Sequence, residues 1–214
     1  MTQYYIVMAD VIRSRYYDGS DLMNEFARIV EECNAAHAGA ILSPYTITLG
    51  DEFQGVANSL RSAVDSILFL EDRLLTVRPA FMLRYVIVYG GIDTPINSQI
   101  AHGMTGPGLV SARELLTKKR RGRRRFQLNL SELPYTDDLN MLFRLLELLS
   151  GHWKEKDYAL IRELVWNYDD ADVASRFGKT KSQIWKRRKT LQIEEYVTVK
   201  ELLRRTVSHT ESNI

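Results

Sequence analysis

Apolar and polar positions along the chain follow two periods, and each change of period marks an element. YYIVMADV, residues 4–11, is a short continuous apolar run of the kind a buried strand makes. After the start signal Gly19-Ser20-Asp21, apolar residues recur at Leu22, Phe26, Ile29, Val30 and Cys33, the spacing of an amphipathic helix. Two β-prone runs follow, 45–49 and 52–56, and the Gly50-Asp51 between them predicts a tight hairpin. Residues 59–77 return to helical spacing with Pro79 as a stop, and FMLRYVIVYGGI, 81–92, begins another long strand. A further helix at about 107–119 and a strand at 126–130 extend the series.

The order β-α-β-β-α-β is that of a split βαβ, or ferredoxin-like, unit. It predicts an α+β fold in which an antiparallel sheet has its helices on one face. SELPYTDD, residues 131–138, marks a seam, so an α+β domain over 1–133 and an all-α domain over 134–214 are expected. In the second part, DDLNMLFRLLELLS (137–150) opens with acids suited to a helix N-terminus and is apolar on a broad surface. That surface suits either a core helix bracing the two domains or a dimer seam. DYALIRELVWN, DDADVASRF and TKSQIWKRRKTLQ then read as three helices, with Gly178 at the turn between the last two.

Composition adds exclusions. The 214 residues are 45% hydrophobic and 26% charged, ordinary for a globular chain with a real core. No apolar run approaches the ~18 residues needed to cross a bilayer, and MTQYYIVMAD lacks a basic leader, so neither a membrane span nor a classical secretion signal is expected. The one cysteine, Cys33, permits no intrachain disulfide and no cysteine-based zinc cluster, which suits a cytoplasmic location. The formal net charge of +2 conceals a concentration of cations at 118–125, KKRRGRRR. That run suits a solvated loop, a nucleic-acid arm or a docking surface for an anionic ligand.

In the split βαβ topology the end of the first strand lies beside the hairpin turn, so Asp10 and Asp51 converge. Two ionised carboxylates in one small space call for a held proton, a nearby arginine or a divalent cation. Mg²⁺ suits such a place, because it takes one or two carboxylates and completes its shell with waters and substrate phosphates. Asp10 and Asp51 are therefore the candidate metal ligands. Strand alternation from Asp51 puts Glu52 on the other face and makes it the weaker candidate. Arg13 and Arg15, just after Asp10, are placed to meet phosphate oxygens. Each aspartate singly also suits a purely conformational role. His102 is either a ligand contact or a solvated loop histidine, and Gly103, Gly106 and Gly108 suit either a phosphate approach or turns.

ADVIRSR at 9–15, TLGDEFQGV at 48–56, RYVIVYGGI at 84–92 and TGPGLVSARELL at 105–116 resemble, in order and spacing, the SatD family of small bacterial proteins. The resemblance covers about the first 130 residues. SatD-type domains are in turn similar to class III nucleotidyl cyclases and GGDEF diguanylate cyclases, in which an acid ending the first strand and another in the hairpin bind metal ions and a nucleoside triphosphate. The resemblance implies a nucleotidyl-cyclase-like fold, those roles for Asp10 and Asp51, and main-chain groups of Val11 and Ile12 near the phosphates. It also implies Arg113 as the candidate catalytic residue. Leu109 stands where class III cyclases carry Asn, and loss of one such donor typically costs about 10²–10³ in rate. Leu49 replaces a glycine of the diguanylate signature, which opposes close approach of a guanosine nucleotide. A domain that binds a nucleotide or other anion is thus expected ahead of the enzyme alternative, a Mg²⁺-dependent nucleotidyl cyclase or nucleotidyltransferase.

The last three helices have helix-turn-helix spacing and are similar to winged or sigma-type helix-turn-helix domains. Val173, Ala174, Phe177 and Ile184 supply packing, Trp185 reads as a further packing residue, and position 187, often apolar in such motifs, is Arg. Thr180, Lys181, Ser182, Gln183, Lys186, Arg187 and Lys189 form an outward set suited to base edges and phosphates, as well as to a solvated bundle. The whole predicts a cytoplasmic DNA-binding regulator with no membrane association. A homodimer would match twofold operators, and a purely structural reading leaves the first domain as a dimerisation platform.

Overall fold

The computed structural model describes residues 2–17, 19–48, 50–78, 80–118, 124–130 and 135–212. β1 (Gln3–Val11), α1 (Gly19–Ala36), β2 (Ile41–Ile47), β3 (Glu52–Ala57), α2 (Leu60–Leu74) and β4 (Leu83–Gly91) follow the predicted order. Their four strands run in the order β2-β3-β1-β4, with β1 antiparallel to both β3 and β4, and a fifth strand follows β4. β5 (Phe126–Asn129) is parallel to β4, so the sheet is mixed rather than purely antiparallel.

A parallel neighbour requires a crossover, and α3 (Pro107–Thr117) supplies it on the face opposite α1 and α2. The expectation of helices on one face is therefore corrected. Val7, Ala9, Val11, Phe53, Tyr85 and Ile87 belong to the core shared with α1 and α2. Ile6, Met8, Val56, Val86 and Val88 pack instead with Leu109, Ala112 and Leu116 of α3. Burial on both faces is why β1 and β4 read as continuous apolar runs. The backbones of α3 and β4 meet closely: a Cβ on Gly90 would stand 2.6 Å from Cα of Gly108. Gly108 thus serves helix-on-strand contact and not a phosphate loop.

Both edge strands are closed by an asparagine. Asn34 of α1 donates Nδ2–H to the Tyr45 carbonyl and accepts the Tyr45 N–H at Oδ1, each at 2.8 Å. Asn140 of α4 (Thr136–Ser150) treats Leu128 of β5 the same way, at 3.0 and 2.9 Å. Backbone groups at each edge are thereby satisfied from a helix.

α5 (Tyr158–Trp166), α6 (Asp170–Arg176) and α7 (Lys181–Thr190) lie where helices are predicted, and a twenty-residue α8 (Ile193–Ser212) is added. Ile193, Tyr196, Val199, Leu203 and Val207 form its buried stripe. α8 lies against α2 and α4, where Lys200 Nζ donates to both carboxylate oxygens of Asp72 at 2.6 and 2.8 Å and Arg204 pairs with Asp65 at 3.0 Å. Burial lowers the Lys200 pKa, and Asp72 works against that shift. One buried cluster runs from β1 and α1 through α4 to α8.

Residues 131–134 of the expected seam and 119–123 of the basic run lie outside the described residues. Arg125, the last of that run, is buried and not solvated: it pairs with Glu71 at 2.6 Å and donates Nε–H to the Leu83 carbonyl at 3.0 Å. Burial opposes its charge, but Glu71, Tyr85 and Glu147 together outweigh burial and raise its pKa. Tyr85 also donates its hydroxyl to Glu71, at 2.9 Å. Among the described residues no helix is long and apolar enough to cross a membrane.

Candidate functional site

The antiparallel register sets Asp10 at the end of β1 directly between Glu52 of β3 and Arg84 of β4. Arg84 donates to Asp10 Oδ2 at 2.7 Å, and Arg113 reaches from α3 to Glu52 at 2.6 Å. Asp51 sits in the turn before β3, where its carbonyl accepts the Val11 N–H at 2.8 Å and its carboxylate accepts the Ser14 hydroxyl at 2.5 Å. The strand end and the turn are thus adjacent, and each acid has its own protein partner. Register sets Glu52 on the same sheet face as Asp10, where Arg113 holds it. Asp51 precedes the strand, so alternation starts at Glu52 and places it beside Asp10.

The main-chain N–H groups of Val11 and Ile12 are donated to the carbonyls of Asp51 and Met82, each at 2.8 Å. Both donors thereby close the strand end. Arg13 and Arg15 are exposed, and Arg13 holds a left-handed conformation at φ 61°. Four arginines thus stand with three carboxylates at this edge. Among the described residues, no group of three or more His, Cys, Asp or Glu side chains is arranged to hold a metal ion. Asp10 and Asp51 offer hard oxygens suited to the partial shell of Mg²⁺, which waters and ligand phosphates would complete. Leu109 is buried against the sheet, and His102 is exposed.

The second region is α6 and α7. Asp169 caps α6 by accepting the Ala171 and Asp172 N–H groups at 2.8 and 3.3 Å, and these bonds hold its carboxyl below the usual range. Gly178 turns the chain at φ 60°. Thr180 and Gln183 then form a reciprocal capping box at the start of α7. The helical period turns Ile184, Arg188 and Leu191 inward. Arg188 donates to Asp170, the Leu164 carbonyl and the Asn167 carbonyl, each at 2.8 Å. The inward arginine is therefore 188, not 187. Arg187 pairs with Asp157 at 2.6 Å and Lys189 with Glu194 at 2.6 Å. Thr180, Lys181, Ser182, Gln183 and Lys186 are exposed. Trp185 is also exposed, at 53%, which corrects its reading as a packing residue: it lies about 100° around the helix from Ile184.

Residues 4–206 match the family model described as the SatD family. The chain belongs to the SatD family. The SatD match continues well past the first 130 residues that carry the sequence motifs, through α4 to α8, so the helical half belongs to the family's common chain. No curated protein matches the sequence. Among solved structures, the guanylate cyclase domain of RhGC from Catenaria anguillulae in complex with GTP shares 15% identity over 63% of this chain and 82% of its own, with a TM-score of 0.38. The monomeric guanylyl cyclase domain of the RhoGC fusion protein from the aquatic fungus Blastocladiella emersonii shares 15% over 63% and 85%, with a TM-score of 0.41. The catalytic core of a rhodopsin-guanylyl cyclase with converted specificity, in complex with ATPalphaS, shares 16% over 63% and 81%, with a TM-score of 0.37. At this level of likeness the comparison bears on neither the activity nor the ligand of the SatD chain.

Sequence reading misses Ser14 and Arg84. Arg84 does leave a signal, a lone cation at the start of an apolar strand, but its partner is set by register and not by spacing.

Proposed function

We propose that this SatD-family chain is a DNA-binding regulator, in which α6 and α7 act as a helix-turn-helix and the sheet edge around Asp10 and Asp51 binds an anionic ligand such as a nucleotide. The observation that carries this reading is the asymmetry of α7. One side of the helix is fixed by Ile184 and Arg188, while Lys181, Ser182, Gln183 and Lys186 face solvent after a short helix and a left-handed turn. Those side chains suit phosphate and base-edge contacts in a major groove. Arg187 and Lys189 join them only by leaving Asp157 and Glu194.

Fluorescence anisotropy with a labelled duplex tests the reading. Lys181→Ala with Lys186→Ala is expected to weaken binding at least ~10-fold and to flatten the dependence of log affinity on log salt by about 1.8, or about 0.9 per lost phosphate contact. Unchanged binding by the double variant would remove α7 as the reader.

At the sheet edge, Mg²⁺ would enter with a polyphosphate, held by Asp10 and Asp51, with Arg13 and Arg15 toward the phosphates. Calorimetric titration of ATP or GTP with Mg²⁺ is expected to show binding that Asp51→Asn weakens, and equal affinity in that variant excludes the site. Catalysis is disfavoured by α3, where Leu109 offers no donor and Arg113 is paired with Glu52.

A further inference from the structure

We propose that the outer face of α4, with the adjoining side of α8, is a homodimer interface in which two copies of this chain lay α4 antiparallel about a twofold axis near Met141. α4 carries two apolar stripes on opposite sides. Leu139, Phe143 and Leu146 are fully buried in the core. Met141, Leu145 and Leu148, nearly half a turn away at 100° per residue, are 58%, 47% and 63% exposed. Their spacing of four and three residues is that of a helix-pairing seam. Leu202 of α8 and Tyr135 extend the patch at 42% and 41% exposure, and a groove of about 600 Å³ separates the two helices. Isolated apolar residues on a surface need no explanation, but a continuous stripe marks an interaction site.

Charge selects a second copy as the occupant. Asp137 and Arg144, both exposed, stand seven residues apart on the same flank of the stripe, too far apart to pair along one helix. When two copies of α4 run antiparallel with Met141 near the axis, each Asp137 faces the partner's Arg144, and this happens twice. The surface is therefore complementary to itself, as a twofold interface must be. Each edge strand of the sheet is bonded to a helix asparagine, so association through this helical face does not require strand addition.

Sedimentation velocity on the full chain tests the proposal, with far-UV circular dichroism as the check on folding. The wild type is expected to be dimeric at micromolar concentrations. Leu145→Glu is expected to raise the dimer dissociation constant at least ~30-fold with an unchanged spectrum. Asp137→Arg and Arg144→Asp should each weaken the dimer, and the two together should restore it. A monomeric wild type, a dimer indifferent to Leu145→Glu, or a double charge swap no tighter than either single variant would each overturn the proposal. This outcome is independent of whether α7 binds DNA.

Discussion

The sheet edge and α7 use the same residue types in opposite ways. At the edge, Arg84 and Arg113 are bonded to Asp10 and Glu52 in a partly buried row, so their charge is spent within the fold. On α7, Arg188 is bonded inward to three acceptors, while Lys181 and Lys186 stand in solvent. A cation whose acceptors are internal tells little about a partner. A cation left at the surface of a helix fixed from behind is the more informative observation.

The sharpest way to break this comparison is to exchange roles within one helix. Arg188→Ala leaves Asp170 and two carbonyls without their donor and is expected to cost about 3–5 kcal/mol in denaturant unfolding. Lys186→Ala should stay within about 0.5 kcal/mol. Equal costs would mean that α7 has no inside and outside. Thr180→Ala, which removes one half of the capping box, is expected to cost about 1 kcal/mol and to weaken duplex binding by loosening the start of α7.

A pH-dependent effect concerns Cys33, whose thiol burial pushes up to about 12 from 9.0. The unfolded chain loses this proton first, so the contribution of the neutral thiol is complete below pH 9.0 and fades as pH rises toward about 12. Cys33→Ala should flatten stability across that window. Because Cys33 is the single cysteine, its labelling by a thiol reagent near neutral pH should follow global opening, and fast labelling of the native chain would contradict its burial.

Much of the α+β half is legible in the sequence because its signals are local. The stripe of α1 and the apolar runs of β1 and β4 depend on periods that neighbouring residues set. Pairing direction is not local, so the parallel placement of β5, and with it the position of α3 across the sheet, is invisible until the chain is folded. The site suffers in the same way: Glu52 and Arg84 become neighbours of Asp10 only through register. α8 escapes notice for another reason. Glu194, Glu195, Glu201, Arg204 and Arg205 crowd its apolar positions, and Lys200 enters the buried side with Asp72 as its partner. Arg188 likewise disguises the inner stripe of α7, since a charge at an inward position reads as an outward one.

The two asparagines set a limit on how this chain meets others. With Asn34 and Asn140 occupying main-chain groups of the outermost strands, a foreign peptide cannot lengthen the ladder there without first displacing an amide from a packed helix. Copies that crowd together are thus steered away from templated, fibre-like growth, and replacing either asparagine by leucine should be felt first as a loss of solubility on storage.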